Sequence, residues 1–119
     1  AYEMSCSLVG SEMCIRDSSD MDRADICLYS VTTPLKNGTV PNVIIELKKT
    51  KAKKEAYNQV VRYLRWIENI TTPDEFKEVK AYIIAPEIGR IKKAKVDIKY
   101  SDKIQMYALG NSEFVSLVD

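Results

Sequence analysis

A carboxylate and an ammonium group stand two residues apart at the end of an apolar segment. The segment is VIIELKK, residues 43–49, and the pair is Glu46 and Lys48. Successive side chains of a strand point to opposite faces, so a strand here puts both charged groups on one face and Ile45 and Leu47 on the other. Such a pair is either an ordinary ion pair at a solvated strand end or part of a site that does chemistry.

A second carboxylate, Asp25, favours the chemical interpretation. It lies in RADICLYSV, residues 23–31, which is rich in β-branched and aromatic residues and is followed by the breaker-rich TTPLKNGTVPN. The two apolar segments therefore predict an antiparallel hairpin with a long connection. A hairpin centred between Leu35 and Lys36 places Asp25 directly opposite Glu46. A slip of one residue sends Asp25 to the other face, and the chain is then a structural α/β domain with surface charges.

Two opposed carboxylates favour a divalent cation between them. Their Cβ atoms would lie about 4.5–5.5 Å apart, where two negative charges repel each other. Mg²⁺ is bound in proteins through one or two carboxylates, several waters and a substrate phosphate, an arrangement suited to phosphodiester hydrolysis. Lys48 would orient or help deprotonate the attacking water and offset charge in the transition state. Triads and zinc sites that depend on imidazole are excluded, since the chain has 0 histidines.

The surrounding pattern predicts an α/β sandwich with a mixed sheet. Apolar residues at helical spacing predict a helix over 52–70, and Thr72, Pro73 and Glu75 predict an N-cap, first turn and capping box of a short second helix. The remaining segments predict a buried strand over 78–86, a short basic helix over 87–98, and strands over 103–109 and 113–118.

Residues 23–109 resemble the PD-(D/E)XK nuclease superfamily. Asp25, preceded by Ala24, stands where the family has Pro-Asp, and Glu46-Leu47-Lys48 matches its acidic-x-Lys motif. QVVRY, residues 59–63, looks like the Q-x-x-x-Y motif of the RecB-type branch. The resemblance implies a restriction-endonuclease-like mixed sheet flanked by helices, here with the family's first helix and strand missing.

The resemblance also implies roles for individual residues. Asp25, Glu46 and the main-chain carbonyl of Leu47 would bind Mg²⁺ or Mn²⁺, and Lys48 would be the catalytic base or would position the water. Gln59 and Tyr63, which share a helix face at i and i+4, would support the site and contact DNA. Independently of the resemblance, further basic residues are either candidates for phosphate contacts or ordinary surface charge: Lys49, Lys51, Lys53, Lys54, Arg62, Lys92, Lys93 and Lys95.

The N-terminal segment is expected to be foreign to this domain. LVGSEMCIRDS, residues 8–18, resembles the transposase adapter of shotgun sequencing libraries translated in one frame. We therefore interpret residues 1–18 as adapter-derived and residues 19–119 as a partial nuclease-like domain. Two of the cysteines, Cys6 and Cys14, fall in the first part, and all three are predicted to be unpaired thiols.

Together these features predict a metal-dependent DNA nuclease domain from a defence, restriction or repair protein, with further domains in the parent protein. The alternative is an inactive nuclease-like module that binds nucleic acid within a larger protein such as an ATPase. The net charge is +1 and 45% of residues are hydrophobic, but no apolar run reaches the roughly 18 residues needed to span a bilayer. We expect no membrane association and a cytoplasmic location.

Overall fold

The described residues form one mixed sheet with helices. The computed structural model describes residues 13–16, as a strand, and residues 26–119. Across these residues, six strands pair in chain order, with β3, β4 and β5 parallel and the other neighbours antiparallel. The strands are β1 (Met13–Arg16), β2 (Ile26–Ser30), β3 (Val43–Leu47), β4 (Lys80–Ala85), β5 (Ile104–Ala108) and β6 (Glu113–Val115). The predicted α/β class with a mixed sheet is confirmed.

The long helix α1 (Lys54–Ile70) covers one face of this sheet. In β4, Ala81, Ile83 and Ala85 are buried while the alternate residues are only partly covered. The same alternation in β2 and β3 shows that one sheet face packs against α1 and forms the core. The helix expected over 52–70 is confirmed.

The hairpin register agrees with the predicted one. Ile26 lies opposite Ile45, Cys27 opposite Ile44, and Leu28 opposite Val43. These are the pairs expected from a hairpin centred between residues 35 and 36. Asp25, whose predicted place is opposite Glu46, lies outside the described residues.

The connection after α1 also follows the sequence. Helix α2 (Pro73–Phe76) begins with the expected capping box, in which the Glu75 amide donates to the Thr72 hydroxyl at 3.2 Å and the Thr72 amide donates to the Glu75 carboxylate at 3.0 Å. This turn leads directly into β4, so the expected strand over 78–86 is confirmed.

The helix expected over residues 87–98 is wrong. Only a single 3₁₀ turn, Lys93–Lys95, forms there, because neighbouring segments take the backbone groups that a helix would use. The Gly89 amide donates to the Ala52 carbonyl at 2.8 Å and the Lys93 amide to the Val118 carbonyl at 2.8 Å. The segment is irregular instead, and it buries the side chain of Ile91.

Strand β1 lies within the segment interpreted as adapter-derived and pairs with β2. Met13–Arg16 therefore occupy the position beside β2. The resemblance implied that the first helix and strand of the nuclease superfamily are missing from this chain. The foreign origin of residues 1–18 stays a prediction. None of the helices in the described part of the chain is long and apolar enough to cross a membrane.

Candidate active site

The Glu46 carboxylate lies at the C-terminal end of β3 on the face covered by α1. The residue is only 5% exposed, and its neighbours on that face are Ile44 in β3 and Ile83 directly opposite in β4. A carboxylate taken out of water among aliphatic side chains is costly unless charge or hydrogen bonds compensate for it. The position is therefore unusual for a purely structural glutamate.

Lys48 supplies a positive charge to this carboxylate. Its Nζ lies 3.4 Å from Glu46 Oε2, and the two side chains are 42% and 6% exposed. The Lys48 amide donates to the Ile84 carbonyl of β4 at 3.0 Å, which extends the parallel ladder and keeps Lys48 on the same face as Glu46. The predicted shared face is confirmed, and the pair joins a buried carboxylate to a cation that reaches solvent.

These two residues line a polar cleft of about 620 Å³ between the end of β3 and α1. The strand contributes one wall and the helix contributes the other. The lining residues are Glu46, Leu47, Lys48, Glu55, Asn58, Gln59 and Arg62. The acidic-x-Lys segment and the first residue of the Q-x-x-x-Y segment, separate in sequence, therefore meet in one cleft.

Gln59 and Tyr63 are joined as their helical spacing predicts. Gln59 Nε2 donates to Tyr63 Oη at 2.7 Å, and the Arg62 guanidinium donates to Gln59 Oε1. Tyr63 is buried at 8% exposure, and its hydroxyl fixes the position of the Gln59 side chain. Gln59 itself lines the cleft. Gln59 lines the site, and Tyr63 positions it.

Two cleft residues, Glu55 and Asn58, were not among the sequence candidates. Together with Gln59 and Arg62 they follow the i, i+3, i+4, i+7 spacing of one helix face. This polar stripe runs beside the apolar stripe that faces the sheet, and it is the signal that would have found them. The sequence did not show which polar stripe of α1 faces Glu46.

The cleft offers oxygen ligands suited to a hard cation. Glu46 and Glu55 are the carboxylates of its described lining. Within residues 26–119, no cluster of three or more Asp, Glu, Cys or His forms a metal site. The predicted ligand Asp25 lies outside the described residues. One buried carboxylate in an open polar cleft fits Mg²⁺ or Mn²⁺, which take few protein ligands and keep several waters.

Two further sequence candidates, Lys49 and Lys51, lie outside the lining of the cleft. Lys49 is exposed, and the Lys51 ammonium is 3.9 Å from the Glu87 carboxylate in an adjoining groove.

Cys27 is a free thiol buried on the face of the sheet beneath α1, and this burial raises its pKa to about 12. Burial therefore favours the protonated thiol at neutral pH, which is the less nucleophilic form.

Comparisons of the chain with protein-family models, with curated proteins and with solved structures find no match.

Proposed function

We propose that this chain is a metal-dependent DNA nuclease domain of the PD-(D/E)XK type, acting in the cytoplasm on phosphodiester bonds. The observation that carries the proposal is the buried Glu46 carboxylate, paired with Lys48 at 3.4 Å in a cleft that also contains Gln59. The motif residues could have been scattered over the surface, but three of them line one site. A structural role requires no such convergence.

Asp25, Glu46 and the Leu47 carbonyl would hold the metal. A β2–β3 register that continued by one pair beyond Ile26 and Ile45 would set Asp25, which lies outside the described residues, opposite Glu46. When bound, Mg²⁺ would polarise the scissile phosphate and lower the pKa of a coordinated water. As part of the same proposal, the mixed sheet is of the restriction-endonuclease-like type.

The side chains of the cleft have separable tasks. The Lys48 ammonium, 42% exposed and fixed on the Glu46 face, would orient the attacking water and offset negative charge that develops on the phosphate. Gln59, held by Tyr63, would hydrogen-bond the substrate backbone from the helix side. Arg62 would add a positive charge to the same wall.

The test is cleavage of single-stranded, duplex and branched DNA in Mg²⁺ and in EDTA. Wild type is expected to cleave in Mg²⁺ alone, and Asp25→Ala, Glu46→Ala and Lys48→Ala are each expected to lose that activity. The matched control is Asp74→Ala with Lys77→Ala, an exposed ion pair at 3.9 Å between α2 and the residue that follows it, outside the cleft. Equal behaviour of wild type and the three cleft variants would overturn the proposal, and DNA binding without cleavage would favour the inactive module.

A further inference from the structure

A basic groove lies beside the cleft, where the first turn of α1 meets the segment after β4. It encloses about 360 Å³ and its lining carries six cationic residues and one carboxylate, that of Glu55. The cations are Lys51, Lys53, Lys54, Arg90, Lys92 and Lys95. This density is far above that of the chain as a whole, whose net charge is +1.

The walls of the groove are fixed by backbone hydrogen bonds. The Ala52 amide donates to the Glu87 carbonyl at 2.9 Å, and the Gly89 amide donates back to Ala52 at 2.8 Å. A Cβ at Gly89 would lie 3.1 Å from Lys51 Cε, so the glycine lets the Lys51 stem lie close against the wall. These hydrogen bonds fix the backbone of the two segments that carry the cations, and the charged ends reach solvent.

The positive charge of the groove is almost uncompensated. In residues 26–119, Lys51 is the one groove cation with a carboxylate within ion-pair distance, that of Glu87 at 3.9 Å. The adjacent Lys93 points elsewhere: it pairs with Asp119 at 3.2 Å and lines a different cavity. Clustered cations with so little internal compensation favour a polyanionic ligand.

We infer that this groove binds the sugar-phosphate backbone of DNA that enters the cleft. Glu55 lines both hollows, so the groove and the cleft adjoin and one strand can occupy both. The groove lining contains no aromatic residue for base stacking, so its cations favour contacts with phosphates. Phosphate contacts position a strand and carry no sequence information, so binding here is independent of sequence. This inference deepens the proposed nuclease function and depends on it for its choice of DNA.

The test is DNA affinity by fluorescence anisotropy over a range of salt concentrations, in EDTA so that binding is measured without cleavage. Two double variants of equal charge change are compared: Lys92→Glu with Lys95→Glu in the groove, and Lys77→Glu with Lys80→Glu, which lie before and at the start of β4, outside it. The four lysines are exposed, and thermal unfolding checks that both variants fold. A neutral groove variant, Lys92→Gln with Lys95→Gln, repeats the test without charge reversal.

The groove variants are expected to bind DNA about tenfold or more weakly near 0.1 M salt, with a salt slope shallower by about 1.4 to 1.8. The control is expected to lose less than about threefold, because charges beyond a Debye length are screened. Two oligonucleotides of unrelated sequence should be affected alike. Equal losses in groove and control variants would mean that net charge alone governs binding and would overturn the inference, as would unchanged affinity in the groove variants. Loss of affinity in a protein that cleaves nothing would uphold the groove and refute the nuclease.

Discussion

The cleft and the basic groove share the first turns of α1, but the lining of the cleft contains a buried carboxylate and that of the groove does not. Glu46, Lys48 and Gln59 line the cleft, whereas exposed cations line the groove. A buried acid beside a cation can bind a metal and act on a bond. Exposed cations can attract and hold a polyanion. Under the proposed function, cleavage would take place in the cleft and DNA binding in the adjoining groove, with Glu55 lining both.

The largest expected effect comes from Lys48→Met, which keeps the length of the stem and removes the charge. We expect the cleavage rate to fall about a hundredfold to a thousandfold, because one preorganised group that stabilises transition-state charge is lost. The affinity for Mn²⁺ should change little. A rate within about twofold of wild type would remove Lys48 from the chemistry.

The next largest effect is expected on metal binding. Glu46→Gln should weaken Mn²⁺ binding by about tenfold to a hundredfold, since a neutral amide replaces an anionic ligand. Titration of Mn²⁺ followed by electron paramagnetic resonance measures this directly. Glu113→Gln, an exposed position on β6, is the control and should match wild type. Equal affinity in the two variants would place the metal elsewhere.

A smaller effect is expected from Tyr63→Phe. The change removes the hydroxyl that accepts from Gln59 at 2.7 Å and should cost about 1 kcal/mol in the free energy of unfolding. The cleavage rate should fall by about tenfold or less, because Tyr63 acts only through the placement of Gln59. A double-mutant cycle with Gln59→Ala tests this, and additive effects on the rate would contradict a positioning role.

The smallest expected effect lies away from both hollows, at the end of α1. Hydrogen bonds from the Tyr100 hydroxyl and the Lys99 ammonium, at 2.7 and 3.0 Å, lower the pKa of Glu68 below its ordinary 4.5. A lowered pKa in the folded state means that this contribution is present above the unfolded-state pKa and is lost as the pH falls through the folded value. Wild type should therefore lose more stability than Glu68→Gln in acid. Melting temperatures measured at stepwise lower pH check this, and parallel curves would contradict it.

Local patterns and the β2–β3 hairpin could be predicted from the sequence. Helix α1, the capping box at Thr72 and the pairing of Cys27 with Ile44 follow from spacing, turn residues and alternation, which are properties of neighbouring residues. The shared face of Glu46 and Lys48 follows from the same alternation.

What could not be predicted depends on contacts between distant segments. The stretch over 87–98 has helical apolar spacing, but hydrogen bonds to Ala52 and Val118 replace those of a helix. Glu55 and Asn58 belong to the site only because α1 turns that face toward β3. The separation of Lys92 from Lys93 arises in the same way, since the backbone path sends adjacent lysines to different cavities.

The most direct test of the division between cleft and groove is single-turnover cleavage in Mg²⁺, with each protein held well above its own dissociation constant for DNA. Saturation removes differences in binding and leaves only the rate of the chemical step. We expect the variant with Lys92→Glu and Lys95→Glu to cleave at the wild-type rate and Glu46→Gln to cleave about tenfold to a hundredfold more slowly. Wild-type cleavage by Glu46→Gln, or a cleavage defect that persists at saturation in the groove variant, would contradict it.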